Sequence, residues 1–188
     1  MRSRSLSLAA LHAAAEAEVC GTALEEEVVG LFDCWREPLL RYLATFGLPM
    51  ADGEEIVQEV FLSLFQHLRR GGARSNLRGW LFRVAHNLGL KRRYRTIRSW
   101  RGETPGPAWS EWLPDPAPGP LEQLLAGETA LRLAAVLRAL PERDRRCLTL
   151  RAEGLRYREI AGTLAMSLGA VSLSLTRSLA RIARAAER

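Results

Sequence analysis

Apolar residues recur along this chain at the three- and four-residue spacing of amphipathic helices, and no segment shows the strict alternation of a half-buried strand. Leu31, Phe32, Trp35, Leu39, Leu40 and Leu43 mark one or two helices between Leu24 and Phe46. Pro38 falls near a boundary or a kink, because proline lacks the amide that a helix interior needs. The next helix starts at Ala51-Asp52-Gly53, with Asp52 as its N-cap and Glu54 and Glu55 complementing the positive helix end. Ile56, Val57, Val60, Phe61, Leu64, Phe65 and Leu68 form its wide apolar stripe, which leaves Glu55, Gln58, Glu59 and Gln66 outside. Gly71-Gly72 breaks the pattern, and the loop Arg69 to Asn76 leads into a third helix. There Leu77, Leu81, Val84 and Leu88 bury one face, while Trp80, Arg83, Asn87 and Lys91 recur at the same spacing on another.

Residues 102–120 carry six prolines and three glycines, a composition that excludes a helix and predicts a linker. Trp109, Trp112 and Leu113 inside it are more than a spacer requires and are candidates for docking on another surface. Leu121 to Leu140 reads as helical; Pro141 opens a further helix through Leu150, and Gly154 ends it. Tyr157 to Leu164, a short turn, and a longer helix from near Ser167 then make a helix-turn-helix pattern. Its buried positions are Ile160, Ala161, Leu164, Val171 and Leu175, with the small Ala161 letting the two helices cross closely. The expected fold class is all-α: two small helical domains, residues 24–101 and 121–188, joined by the linker 102–120. Residues 1–23 form a tail or a short extra helix ahead of them.

Charge changes this picture more by its distribution than by its total. The 188 residues hold 27 Lys+Arg against 21 Asp+Glu, a net charge of +6. Residues 1–68 carry 4 cations against 11 acids, whereas residues 69–101 carry 11 cations and no acid. The two blocks call for partner surfaces of opposite sign. The basic one, on a helix offering a tryptophan to stack on a base and an asparagine to read a base edge, suits a nucleic acid. The plainer alternative is a solvated basic face with Trp80 in the core.

Cys20, Cys34 and Cys147 are odd in number and widely spaced, with no CxxC pair and no Cys/His cluster. They fit a reducing, cytoplasmic setting and argue against a disulfide framework or a metal site. No cofactor is expected. The opening segment has two arginines and an apolar-leaning run, but His12, Glu16 and Glu18 interrupt it, so it is not expected to be an export signal. No run reaches the roughly 18 apolar residues of a membrane span, so no membrane insertion is expected.

Three stretches together resemble the bacterial RNA polymerase sigma factors of the small, two-domain extracytoplasmic-function group. ADGEEIVQEVFLSLFQHL (51–68) is similar to that family's polymerase-binding helix, and NLRGWLFRVAHNLGLKRR (76–93) to its −10-reading and promoter-melting helix. LPERDRRCLTLRAEGLRYREIAGTLAMSLGAVSLSL (140–175) is similar to its −35-reading domain. Order and spacing agree over about residues 24–186.

The resemblance implies that Asp52, Glu55, Gln58 and Glu59 meet the clamp helices of the polymerase β′ subunit, and that the C-terminal domain meets the β flap. It implies that Trp80, Arg83, Asn87 and Lys91 face the −10 element, with Arg92, Arg93 and Arg95 holding phosphates. A base leaving the stack would be received by the Arg69 to Asn76 loop. The linker would cross the active-site cleft and the RNA exit path, and an anti-sigma factor would hold the free protein.

At the −35 end the family's pattern places Ala170, Ser172, Leu173, Ser174, Thr176 and Arg177 toward DNA. This chain departs from it by having only Arg177 where basic or bulky polar residues are usual. Fewer cations mean fewer phosphate contacts and a shallower salt dependence. Either DNA shape supplies part of that recognition or other contacts do; Arg143, Arg145, Arg146, Arg156 and Arg158 are candidates for backbone contacts.

Two other function classes compete with this reading. A stand-alone helix-turn-helix regulator, dimerising through its first domain, would bind an operator tightly without polymerase. A recombinase or nuclease would need a P-loop, a carboxylate metal cluster or a nucleophile with its base, none of which the sequence offers. His12, His67 and His86 stand isolated and read as surface or helix residues.

Overall fold

The computed structural model describes residues 8–99, 127 and 132–186, and over them the protein is all helical. Helix α1 spans Leu8–Ala44, α2 Met50–Arg69 and α3 Leu77–Ser99. A short helix over 132–139, α4, precedes α5 (Glu142–Ala152), α6 (Tyr157–Leu164) and α7 (Leu168–Ala186). The linker 102–120 with Trp109, Trp112 and Leu113, and most of the segment 121–131, lie outside the described residues.

The first helix is longer than its apolar pattern suggests. It runs without a break from Leu8, through the segment expected as a tail or a short extra helix, and keeps Pro38 inside it. The missing amide of Pro38 therefore leaves a gap in the hydrogen-bond ladder, not a helix end. After Ala44 the chain turns through Gly47, whose φ of +69° suits the residue without a Cβ. It enters α2 one turn before Asp52: Pro49 is the N-cap and Asp52 lies within the first turn. Asp52 thus does not cap the helix as expected; its carboxylate is turned toward α3.

Leu39, Leu40, Tyr42 and Leu43 of α1 meet Ile56, Val57, Val60 and Leu64 of α2 and Leu81, Phe82 and Ala85 of α3, all almost fully buried. On α3 the buried stripe is Leu81, Phe82, Ala85, His86 and Gly89, while Leu77, Val84 and Leu88 are half-buried at its edges. The stripe is offset from the expected one, and Gly89 lies on it where α3 packs on Leu43 and Phe46. A Cβ there would meet Leu43 Cδ2 at 3.1 Å and Phe46 Cε1 at 3.2 Å. His86, expected as a surface or helix residue, is on the helix but only 7% exposed.

The second unit packs α5, α6 and α7 around Cys147, Leu150, Leu155, Ile160, Leu164, Val171 and Leu175. The axes of α6 and α7 meet at 103°, within the range of a helix-turn-helix. Ala165 turns the corner in the left-handed region at φ 50°, ψ 49°, and Met166 N–H returns to the Ala161 carbonyl at 2.9 Å. The Ser167 hydroxyl then caps α7, accepting from Ala170 N–H at 3.2 Å. The two units are in contact, α3 lying against α6 and α1 against α5, so buried residues run continuously from one to the other.

Candidate nucleic-acid interface

Two adjoining helices carry opposite charge, and their geometry separates the residues free to meet a partner from those already engaged. On α2, Glu55, Gln58, Glu59 and Gln66 lie outside the apolar stripe, and Leu62 sits among them 59% exposed. Sequence reasoning had placed Leu62 on neither face.

Asp52 and Glu55 have a partner within the chain. Arg92 Nη1 donates to Asp52 Oδ1 at 2.9 Å, and Arg92 Nη2 lies 2.8 Å from Glu55 Oε2. The hydrogen bond to Glu55 raises the Arg92 guanidinium above its ordinary value against the opposing effect of burial. Arg92 was expected to hold a phosphate, and here it ties the third helix to the start of the second. Gln58 and Glu59 are exposed, as is the Glu55 side chain that Arg92 holds.

Along α3, Arg83, Asn87 and Lys91 are exposed at four-residue intervals. Trp80 belongs to the same line but is half-buried, its ring stacked on His67 at 5.1 Å between centroids and 27° between planes. The loop of residues 70–76 holds that stack in place. His67 Nε2 donates to the Ala73 carbonyl at 3.2 Å, and Gly72 N–H to the His67 carbonyl at 2.9 Å. A Cβ at position 72 would come within 2.4 Å of the imidazole, so any larger residue there would push the His67 ring aside. Asn76 accepts from Gly79 N–H at 3.1 Å and so starts α3. An aromatic plate, an amide and two cations on one line can stack an unpaired base, read its edge and hold its phosphates. Arg93 of the same helix pairs with Glu142 at the start of α5.

In the helix-turn-helix, Ser172, Leu173, Thr176 and Arg177 face outward, whereas Ala170 is half-buried. Ser174 does not reach the surface. It is 1% exposed and donates to Asp144 Oδ1 at 2.7 Å. Val171, Ser174, Leu175 and Ser178 form one buried stripe at helical spacing, and a serine in that phase faces the core whatever its polarity. Arg177 lies 3.6 Å from the same Asp144 carboxylate. Of the arginines expected to touch backbone, Arg143, Arg156 and Arg158 are exposed. The other two face the first unit instead: Arg145 donates to the Thr45 carbonyl at 3.3 Å, and Arg146 lies over the Phe46 ring at 4.1 Å.

Comparisons with known proteins bear on both units. The family model described as Sigma-70 region 2 matches residues 31–101, and that described as Sigma-70, region 4 matches residues 130–182. The ECF RNA polymerase sigma factor SigL of Mycobacterium tuberculosis is 32% identical over 133 residues, covering 68% of this chain and 75% of SigL. The probable RNA polymerase sigma factor RfaY of Xanthomonas campestris pv. campestris is 32% identical over 71% of this chain. The match spans about a third, 34%, of RfaY's length. Among solved structures, CnrH in complex with the cytosolic domain of CnrY is similar in fold, with a TM-score of 0.56 and 21% identity. It covers 89% of this chain and 92% of CnrH.

Proposed function

Because the chain belongs to the extracytoplasmic-function group of sigma-70 RNA polymerase sigma factors, we propose how its named residues divide that family's work. A sigma factor directs RNA polymerase to promoters and is not itself an enzyme. In this reading Gln58, Glu59 and Leu62 of α2 dock on the β′ clamp helices, a leucine in a polar ring supplying the apolar anchor. Asp52 and Glu55 meet the same surface while bound to Arg92. The C-terminal unit meets the β flap and reads −35 DNA through Ser172, Leu173, Thr176 and Arg177.

Trp80, Arg83, Asn87 and Lys91 hold the melted −10 strand. Opening a duplex forfeits about 1.4 kcal/mol of stacking per base-pair step, and a base stacked on an aromatic side chain regains about 1–3 kcal/mol. Trp80, preset on His67, supplies that replacement without ordering a loose side chain at the moment of melting. The observation that carries the reading is the placement of an exposed acidic and apolar face on α2 beside a cationic, aromatic line on α3. The protein works in the cytoplasm, where polymerase and promoter are. CnrH was solved with CnrY, and an anti-sigma partner of this chain is proposed by analogy with that complex.

The test is a pull-down with purified core polymerase. Placing cations on this face with Gln58→Lys and Glu59→Lys is expected to abolish holoenzyme formation while the circular dichroism spectrum stays helical. Assembly at the wild-type level would remove α2 as the docking helix.

A further inference from the structure

The C-terminal part of α3 lines a cleft in which cations outnumber acids. It opens where α3 approaches the start of α5, holds about 690 Å3, and draws its positive charge from Lys91, Arg93, Arg95, Arg98 and Arg146. Among the described residues its one acid is Glu142. That carboxylate pairs with Arg93 and lies 3.4 Å from Arg146 Nη2. The Arg93 hydrogen bond, first among several causes, holds it below its ordinary value, so it is fully ionised and has no further charge to offer. Each guanidinium is a fork of N–H donors, and one carboxylate does not satisfy two forks.

Arg146 is the one buried residue of the lining, at 9% exposed, and its Nε has no hydrogen-bond partner among the described residues. Burial lowers its guanidinium from the ordinary value, and the charges of Arg93 and Arg145 add to that against the pull of Glu142. Cations crowded in a half-dry site are stabilised by an anion between them. The positive end of α5, which begins at Glu142, adds to the same field.

The lining is not cationic throughout. Leu90 and Tyr94, 42% and 68% exposed, give it an apolar side with a ring open to a flat partner. A bare anion would leave that side unused, and a flat apolar molecule would leave the cations unmet. The volume falls within the range of about 300–1,000 Å3 typical of small-molecule sites.

We propose that this cleft binds a free nucleoside polyphosphate, its phosphates on Arg93, Arg98 and Arg146 and its base against Tyr94. Guanidinium forks match phosphate oxygens two at a time, and stacking on a tyrosine ring suits any base. Lys91 belongs both to this cleft and to the exposed line of α3, so a bound nucleotide and a DNA strand compete for it. That competition rests on the reading of α3 as the strand-holding helix; the binding of the nucleotide does not.

The test is isothermal titration calorimetry on the full chain with ATP, GTP and inorganic tripolyphosphate, at about 0.15 M salt so that diffuse attraction to the basic surface is screened. At least one nucleotide is expected to bind once per chain and about tenfold tighter than tripolyphosphate, the difference being the stacked base. Tyr94→Ala should erase that difference, and Arg98→Ala should weaken nucleotide and tripolyphosphate alike, by about tenfold. Both side chains are exposed, so these variants keep the fold. Arg184→Ala removes an exposed cation of α7 outside the cleft and should change neither affinity.

No saturable binding by either nucleotide, an affinity no better than that of tripolyphosphate, or a loss with Arg184→Ala equal to that with Arg98→Ala would overturn the proposal. The same variants are measured by anisotropy against a fluorescein-labelled single strand of mixed sequence. If the strand loses affinity with Tyr94→Ala and neither nucleotide does, the cleft belongs to the DNA surface and the proposal falls.

Discussion

Acid begins to destabilise this protein through one buried group before most carboxylates titrate, and the consequence can be worked out from the surroundings of His86. The imidazole is 7% exposed, its Nδ1 is 2.7 Å from the Tyr42 hydroxyl, and its ring sits 5.6 Å from that of Phe46. Arg146 lies over the same Phe46 ring. Burial first, and the charge of Arg146 second, lower His86 from 6.5 to about 4. Burial also pushes the Tyr42 phenol far above its ordinary value, so its hydroxyl stays protonated and donates when Nδ1 is the unprotonated nitrogen.

The unfolded chain binds a proton at His86 near pH 6.5 and the folded chain only near pH 4, so between those values the unfolded state holds more protons. Stability is therefore fully present above pH 6.5 and drains as the pH falls through the window, by about 3 kcal/mol at pH 4. Against a total of about 5–15 kcal/mol for a typical domain, that loss is large. Urea denaturation followed by circular dichroism from pH 7.5 to 4, on wild type and His86→Gln, isolates it, because the carboxylates titrate in both.

At pH 7 the variant should be less stable by about 1 kcal/mol, from a poorer hydrogen bond and packing. The two profiles should cross near pH 6, leaving the variant ahead by about 2 kcal/mol at pH 4. Parallel profiles would refute the reasoning.

Three further outcomes follow from contacts of the same kind. Ser174→Ala should destabilise the protein by about 1–3 kcal/mol by leaving the Asp144 carboxylate short of a donor, measured by urea denaturation, and should leave the choice of −35 sequence unchanged. A shift in −35 preference would return Ser174 to the DNA face. Arg92→Ala should cost up to about 1 kcal/mol of stability, as a part-exposed ion pair does. It should leave the slope of log affinity against log salt for promoter DNA unaltered, whereas a phosphate contact would lower that slope by about 0.7–0.9. Gly72→Ala should displace the His67 ring from Trp80, read as a changed tryptophan emission spectrum, and impair promoter opening with core binding intact.

Much of this architecture was legible because helices announce themselves through spacing. Ile56, Val57, Val60 and Leu64 mark the buried side of α2, and the turn between Leu164 and Leu168 marks the helix-turn-helix. What the pattern missed were polar residues in buried phase and charged residues with distant partners. Ser174 and His86 sit on core stripes, but their side chains look like surface residues until the stripe is phased by its neighbours. Gly89 was invisible for the opposite reason, since it contributes an absence of side chain at a crossing.

The engagement of Arg92 by Asp52 and Glu55, and of Arg93 by Glu142, joins residues 37 to 49 positions apart, which no local periodicity reports. Leu62 was overlooked because an apolar residue on a polar face fits neither class. The exposed line of Arg83, Asn87 and Lys91 was readable, whereas the His67 stack beneath Trp80 required the loop geometry around Gly72.

The central claim is that α2 holds the polymerase while the α3 line holds melted DNA, and permanganate footprinting of a promoter bound by reconstituted holoenzyme tests it most directly. Trp80→Ala with Asn87→Ala should leave core affinity at the wild-type level and reduce thymine reactivity in the −10 region about tenfold or more, the loss of one base stack and one edge contact. Wild-type reactivity from that variant, with holoenzyme assembly intact, would contradict the account.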